Sequence, residues 1–103
     1  MIRLVEHKFH AQRTEYGGAQ FSSKKEAHYA QELDLRVRAG EVVFYLRQVP
    51  FHLPGGVIYR VDFAEFWADG TVHFVDVKGM RTKGYIVKQK LVEALYPIII
   101  EEA

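Results

Sequence analysis

The 103-residue sequence contains no cysteine, no asparagine and only three prolines. Without cysteine, a disulfide scaffold, a thiolate zinc site and a cysteine nucleophile are all excluded. Long apolar runs are missing too, since stretches such as Ile98-Ile99-Ile100 fall far short of a membrane span, and the N-terminus lacks the apolar stretch of a signal peptide. We therefore expect a soluble cytoplasmic protein with no membrane partner. The missing asparagine and the two methionines favour a thermophilic source.

What the sequence does contain is enough apolar material for one folded domain. Hydrophobic residues make up 49% of the chain, which is typical of a globular protein rather than a disordered one. A length of 103 residues fits a single domain, 1–103, with a modest core. Residues 1–21 mix charges, histidine and glycine without a sustained period. We interpret them as an extended, partly mobile basic arm, with a short strand from Met1 to Val5.

A first helix is predicted from its capping signals. Ser23-Lys24-Lys25-Glu26 is a capping box, and neither glycine nor proline follows until Gly40. The helix is therefore expected from Ser23 to Arg38. Glu26 precedes Ala30 by four residues, so its side chain should lie at the N-terminal end of the buried face.

The strands are predicted from β-branched and aromatic runs bounded by glycine and proline. Pro50 and Pro54 interrupt the chain, so the segment between them is at best an edge piece. The expected elements after the first helix are strands at Val42–Leu46, Phe51–Leu53 (the edge piece), Val57–Trp67 and Thr71–Lys78, a helix at Tyr85–Leu95, and a strand at Ile98–Glu101. Apart from the edge piece, this order is α-β-β-β-α-β, which indicates an α/β fold with a mixed sheet flanked by two helices.

The hairpin between the two long strands decides whether Asp62 and Asp76 meet. A two-residue turn would place Asp62 on the wrong face, whereas the three-residue loop Ala68-Asp69-Gly70 places it opposite Asp76, on the same face. The third position of such a loop favours a left-handed residue, and Gly70 occupies it. We therefore expect the three-residue loop.

Two opposed strand carboxylates, with Cβ atoms roughly 5 Å apart, repel each other unless a proton or a cation lies between them. Lys78 is one such cation, which makes a structural salt-bridge cluster one interpretation. A divalent metal is the other, and hard oxygen ligands without cysteine or clustered histidine suit Mg²⁺ or Mn²⁺ better than zinc. Glu26 also has two interpretations, as a capping residue only or as a further ligand.

The net charge of +1 hides an uneven distribution of charged residues. Residues 77–92 carry five Lys or Arg and no acid, and residues 1–25 carry five Lys or Arg against two Glu. If the three acids Glu26, Asp62 and Asp76 hold a cation, the remaining surface is basic enough to bind nucleic acid. Solvated surface charges are the alternative interpretation. The residues expected to contact DNA are Arg13, Lys24, Lys25, Arg81, Lys83 and Lys88, with Tyr85 on the same helix facing the site.

Taken together, these residues resemble the PD-(D/E)XK nuclease superfamily, whose fold is restriction-endonuclease-like. The matching pieces are a helical Glu26, a strand Asp62, and Asp76-Val77-Lys78 after a hairpin, in the element order of the family core over about residues 22–101. Val61 stands where the motif name has proline. Within the superfamily, the chain looks like the small phage and archaeal Holliday junction resolvases. The stretches that carry this likeness are Phe21–Ala27, Val61–Phe63 and Val75–Gly79.

The resemblance implies metal-dependent hydrolysis of DNA phosphodiester bonds at four-way junctions. It implies that Asp62, Asp76 and the backbone carbonyl of Val77 hold Mg²⁺, for which Mn²⁺ substitutes, and that Glu26 reaches the metal directly or through water. Such a metal lowers the pKa of a bound water, and Lys78 would orient that water and stabilise the developing negative charge. One metal or two are both compatible with this ligand set.

Two symmetric cuts at a junction call for a C₂ homodimer. Two alternatives stay open. One is another nuclease of the same superfamily, of repair or restriction type, and the other is a non-catalytic nucleic-acid-binding module with the same fold.

Overall fold

The computed structural model describes residues 3–6, 12–77 and 82–103, with side chains described from Thr14 onward in those ranges. The strands form two sheets, ordered β1-β2-β3 and β4-β5-β6-β7. In the second sheet β4, β5 and β6 are antiparallel, and β7 runs parallel to β6. The elements are β1 (Arg3–Glu6), β2 (Gln12–Tyr16), β3 (Ala19–Phe21), α1 (Lys24–Arg38), β4 (Val42–Leu53), β5 (Val57–Trp67), β6 (Val72–Asp76), α2 (Lys83–Leu95) and β7 (Ile100–Glu102).

This architecture confirms the predicted α/β fold with two helices and a mixed sheet. From α1 onward the element order is the predicted one. Within the described residues, neither helix is long and apolar enough to cross a membrane.

Helix α1 forms where its capping signals predict it. Ser23 is the N-cap, and its hydroxyl accepts a hydrogen bond from the Glu26 N–H at 3.1 Å. Arg38 ends the helix, with Gly40 following in the left-handed region. Its buried residues include Glu26 and Ala30, so the predicted inward face is confirmed.

Helix α2 begins at Lys83, two residues before the predicted start at Tyr85. The reason is Thr82, whose hydroxyl accepts a hydrogen bond from the Tyr85 N–H at 3.1 Å and so caps the first turn. The predicted end at Leu95 is confirmed.

Strand β4 is longer than predicted, because it continues without interruption through Pro50 to Leu53. Proline is tolerated here because β4 forms an edge of the sheet, where one side of the strand needs no N–H donor. The other strand bounds shift too: β6 covers Val72–Asp76, whereas the prediction was Thr71–Lys78, and β7 covers Ile100–Glu102 rather than Ile98–Glu101.

The segment expected to be an extended arm contains the whole first sheet. Tyr16 pairs with Ala19 across a two-residue turn, and both turn glycines, Gly17 and Gly18, have positive φ. This is the backbone that a tight hairpin requires, so the Gly-Gly pair was the overlooked sequence signal. Phe21 at the end of β3 is buried in the core beside α1.

The four-stranded sheet has one apolar cluster on each face. The α1 cluster contains Phe63 and Val75 together with residues of α1. The α2 cluster contains Val61 and Ile100 together with Val92 of α2. Val61 and Phe63 are two residues apart on β5, and a regular strand would place them on the same face. The chain therefore changes faces at the residue between them, Asp62.

Candidate functional site

The β5–β6 hairpin has the register that the three-residue loop predicts. Phe66 pairs with Val72 and Phe63 with Val75, which sets Asp62 opposite Asp76. The Trp67 N–H donates to the Thr71 carbonyl at 2.9 Å, and Gly70 has a φ of +88°.

The two carboxylates are linked through the backbone. The Asp62 N–H donates to Asp76 Oδ1 at 2.9 Å, and the Val77 N–H donates to Asp62 Oδ2 at 2.8 Å. Both residues are buried, with 3% of Asp62 and none of Asp76 exposed. Because each carboxylate has its own backbone donor, the pair is stabilised without a proton or a cation between the two side chains.

The expectation that both side chains share one face is wrong. Asp76 alternates with Val75 and Val77 of the α1 cluster, so its side chain points toward the α2 side. Asp62 instead accepts a hydrogen bond from the side chain of Gln48 at 3.0 Å, toward α1. The face change at Asp62 is the physical reason for the difference.

Gln48 lies on β4 next to Asp62, at the point where β4 also changes faces. Its φ is +52°, the one positive φ of a non-glycine residue within the described ranges. On β4, Tyr45 packs with the α1 cluster and Phe51 with the α2 cluster, so β4 changes faces together with β5. A side chain held in the left-handed region costs about 1–3 kcal/mol, which the surrounding contacts must offset.

The side-chain amide of Gln48 joins two acids. Its Nε2 donates to Glu26 Oε2 and to Asp62 Oδ1, both at 3.0 Å. An amide donor placed between two carboxylates partly neutralises their repulsion and fixes their orientation. Gln48 has no recognisable signal in the sequence, because only the strand pairing brings it to Glu26, 22 positions away.

Glu26 does more than complete a capping box. Its Oε1 accepts hydrogen bonds from the N–H and the hydroxyl of Ser22, at 3.0 and 2.9 Å, rather than from the N-cap Ser23. Its other oxygen is bound by Gln48. Glu26 is 1% exposed, and its carboxylate accepts three hydrogen bonds from two residues, which a simple cap does not need.

A cavity of about 370 Å³ opens beside these two acids. Glu26, Asp62 and Gln48 line one part of it, and Arg47 and Arg60 line another. Arginine side chains at this position were not among the predicted DNA contacts. They come from β4 and β5, where the strand pairing rather than any local motif brings them together.

Asp76 is enclosed by two tyrosines on the α2 side. Its Oδ2 accepts hydrogen bonds from the hydroxyl of Tyr59 and, at 3.2 Å, from the hydroxyl of Tyr85. The expectation that Tyr85 faces the site is thus met at Asp76. Burial raises the pKa of Tyr59, and the hydrogen bond to Asp76 raises it further. Burial also raises the pKa of Tyr85 to about 12, so both hydroxyls remain protonated donors at neutral pH.

A fourth buried carboxylate, Glu65, belongs to the core rather than to the cavity. It accepts hydrogen bonds from the Tyr29 hydroxyl at 2.5 Å and from Trp67 Nε1 at 3.0 Å. Burial and the Glu65 carboxylate raise the pKa of Tyr29. Tyr29 and Trp67 both pack against the α1 cluster. Glu65 therefore provides the acceptor for polar groups at the border of that cluster.

The predicted magnesium ligands fit a hard cation in part. Glu26 and Asp62 present carboxylate oxygens to one cavity, with the amide nitrogen of Gln48 between them, at a place where positive charge is favoured. Asp76 does not line that cavity. Among the described residues, no three Asp, Glu or His side chains surround a common point. Glu26 and Asp62 are thus the pair that fits.

The other predicted site residues fall into two groups. Lys78 and Arg81 lie outside the described residues, as does the side chain of Arg13. The remaining predicted DNA contacts are exposed on the two helices: Lys24, Lys25, Lys83 and Lys88.

Comparisons with known proteins identify the family of the chain and nothing finer. No curated protein and no solved structure matches the sequence. One family does match, over residues 6–101, and its description is a protein of unknown function, DUF1064. That match spans nearly the whole chain, from β1 to β7, so the protein belongs to the DUF1064 family.

Proposed function

We propose that this protein is a metal-dependent, structure-selective DNA endonuclease that cleaves four-way junctions. The observation that carries the proposal is the pair of buried acids, Glu26 and Asp62, that share one cavity with two arginines. Asp76 lies directly across the hairpin from Asp62 and is bonded to its backbone. Three acids that arise from a helix and two strands, in the order of the PD-(D/E)XK motif, favour phosphodiester hydrolysis over a purely structural role.

The architecture supports a restriction-endonuclease-like fold. Its element order from α1 to β7 is α-β-β-β-α-β, and helices pack on both faces of a mixed sheet. Asp62 lies in the middle of the long strand β5 and Asp76 at the end of β6, which supports the comparison with the PD-(D/E)XK motif.

The chain's own residues would share the chemistry as follows. Glu26 and Asp62 would hold Mg²⁺ or Mn²⁺, which supplies an activated water at neutral pH and neutralises charge on the phosphate. Gln48 orients the two carboxylates toward the cavity. Asp76 anchors the Asp62 backbone by accepting a hydrogen bond from its N–H. The resemblance to the PD-(D/E)XK motif would assign Asp76 and the Val77 carbonyl to the same metal. Lys78 would orient the attacking water and stabilise negative charge on the phosphate.

A homodimer is part of the proposal, because two symmetric cuts need two active sites. Apolar side chains on the sheet face opposite α1 support it. Phe44 stacks on Phe66 with ring centroids 4.4 Å apart, and Leu46 and Val72 beside them are exposed. An apolar patch of this kind is typical of an interaction surface.

One observation favours a second candidate, a nucleic-acid-binding module without catalysis. All the Asp76 oxygens accept hydrogen bonds from protein groups, which suits a structural carboxylate. In that case DNA would bind at the basic surface, and it would stay uncut when a divalent cation is added.

The test is cleavage of labelled four-way junction and linear duplex DNA in Mg²⁺ and in EDTA. We expect the wild-type protein to cut the junction only with Mg²⁺, and we expect Asp62→Asn and Glu26→Gln each to lower the rate at least about a hundredfold. Both replacements keep the side-chain shape but turn one acceptor oxygen into an NH2 donor that faces a donor of the protein, so urea denaturation of each variant first establishes that it is folded.

Glu41→Gln is the matched control, because Glu41 is an exposed acid in a surface ion pair with Arg36. It should cut at the wild-type rate. Binding without cutting would favour the second candidate. Equal cutting of junction and duplex would instead indicate a nuclease of repair or restriction type.

A further inference from the structure

We propose that Arg47 and Arg60 form a phosphate-binding wall of the cavity and hold a DNA phosphate against the Glu26–Asp62 pair. This inference rests on the proposed function in that it takes DNA as the source of the phosphate. It adds two strand residues to which no role has been assigned.

The guanidinium of Arg47 is already fixed in place. Its Nη2 donates to the Gln20 carbonyl at 3.0 Å, and its central carbon lies 3.5 Å from the centre of the Phe21 ring. Phe21 is itself buried in the α1 cluster. A guanidinium stacked on a rigid ring loses little further entropy on binding a ligand, so it is preorganised for one.

One buried donor of Arg47, its Nε, has no hydrogen-bond partner among the described residues. A buried polar atom without a partner is rare in native proteins and needs an explanation. Arg47 lines the cavity, so an anion bound there would meet its guanidinium, and phosphate oxygens suit the planar fork to which the unpartnered Nε–H belongs.

Arg60 provides the second cation. It is exposed, it lines the same cavity, and it pairs with Pro50 across the β4–β5 ribbon. Its freedom at the cavity rim contrasts with the fixed Arg47. The two residues suit complementary tasks, with Arg47 setting the position of the phosphate and Arg60 closing on it from the solvent side.

The charges of the cavity explain why phosphate and cation would bind together. Glu26 and Asp62 bring two negative charges and Arg47 and Arg60 bring two positive ones, so the cavity alone is formally neutral. A divalent cation on the acids would make the cavity positive and favour an anion. By linkage, a bound phosphate would equally favour the cation.

The test is the salt dependence of four-way junction binding, measured in EDTA and in Ca²⁺, a hard cation that takes the same kind of oxygen ligands. Each lost phosphate contact should lower the slope of log K against log[salt] by about 0.9. We expect this change, and at least about a tenfold loss of affinity in Ca²⁺, for Arg47→Ala and Arg60→Ala. Arg36→Ala, at an exposed arginine paired with Glu41, should leave both quantities unchanged.

A second measurement guards against misfolding of Arg47→Ala. The ¹H–¹⁵N resonance of Arg47 Nε in the wild-type protein should shift on adding junction DNA, and Arg47→Lys identifies the resonance by removing it. Arg47→Lys should keep the salt slope, since its charge remains, but bind more weakly because the fork is lost.

Each outcome has one meaning for the inference. A wild-type salt slope in both alanine variants, with an unmoved Nε resonance, would overturn it even if the wild-type protein cuts junctions. A shift with inorganic phosphate but none with DNA would also overturn it. Lowered slopes together with absent cleavage would uphold the phosphate wall while the nuclease proposal fails.

Discussion

Asp62 and Asp76 occupy paired positions on neighbouring strands, yet their surroundings have little in common. Asp62 accepts hydrogen bonds from the Gln48 amide and the Val77 N–H, and it lines a cavity together with two arginines. Asp76 is bonded to two tyrosine hydroxyls and a backbone N–H, and it does not line that cavity. Both are almost fully buried. Burial alone therefore does not identify a ligand-binding carboxylate, whereas its donors and the space in front of it do.

The largest expected effect is a difference in protein stability between the Asp76→Ala and Asp62→Ala variants. Asp76→Ala leaves the Asp62 N–H and the Tyr59 hydroxyl without their acceptor in a buried place, so we expect the free energy of unfolding to fall by about 3 kcal/mol. Asp62→Ala leaves the buried Val77 N–H without its acceptor but keeps the Gln48 bond to Glu26, so we expect a smaller loss of about 2 kcal/mol. Urea denaturation of both variants measures the difference, and equal losses would contradict it.

An intermediate effect concerns the residue at the face change. Gln48→Ala removes two hydrogen bonds to carboxylates and still holds a β-carbon at positive φ, whereas Gln48→Gly removes the same bonds without that strain. We expect the glycine variant to be more stable than the alanine variant by about 1 kcal/mol. The measurement is again urea denaturation. If alanine is the more stable of the two, the backbone at Gln48 is not strained.

The smallest effect concerns Tyr85, one of the two tyrosines bonded to Asp76, and it is expected only at alkaline pH. The Tyr85 pKa is raised from 10.0 to about 12, mainly by burial, so its protonated form stabilises the fold. That contribution is fully present below pH 10 and is lost as the pH rises from 10 toward 12. Thermal unfolding followed over this range should show a steeper decline for the wild type than for Tyr85→Phe. Superimposable curves would refute the assignment.

The local parts of the fold could be predicted from the sequence because their signals are local. Ser23 and Gly40 bound α1, and Gly70 fixes the hairpin register that sets Asp62 opposite Asp76. These features depend on backbone preferences of single residues within a few positions. The Gly17-Gly18 turn has a signal of the same kind, although residues 1–21 were interpreted as an extended arm.

The parts that could not be predicted depend on contacts between distant segments. Gln48 reaches Glu26 over 22 positions, and Tyr59 reaches Asp76 over 17. Pro50 lies inside β4 because that strand ends up at an edge of the sheet, which only the assembled strand order reveals. The same holds for the arginines of the cavity, since their separation along the chain gives no indication of a shared wall.

The β4–β5 ribbon, which changes faces at Gln48 and Asp62, also bears on how the protein unfolds. One end of the ribbon supplies Tyr45 and Phe63 to the α1 cluster, and the other supplies Phe51 and Val61 to the α2 cluster. Neither cluster can come apart without pulling on strands that the other one holds. The two halves should therefore open together as one cooperative unit, with the cavity at the joint where they meet.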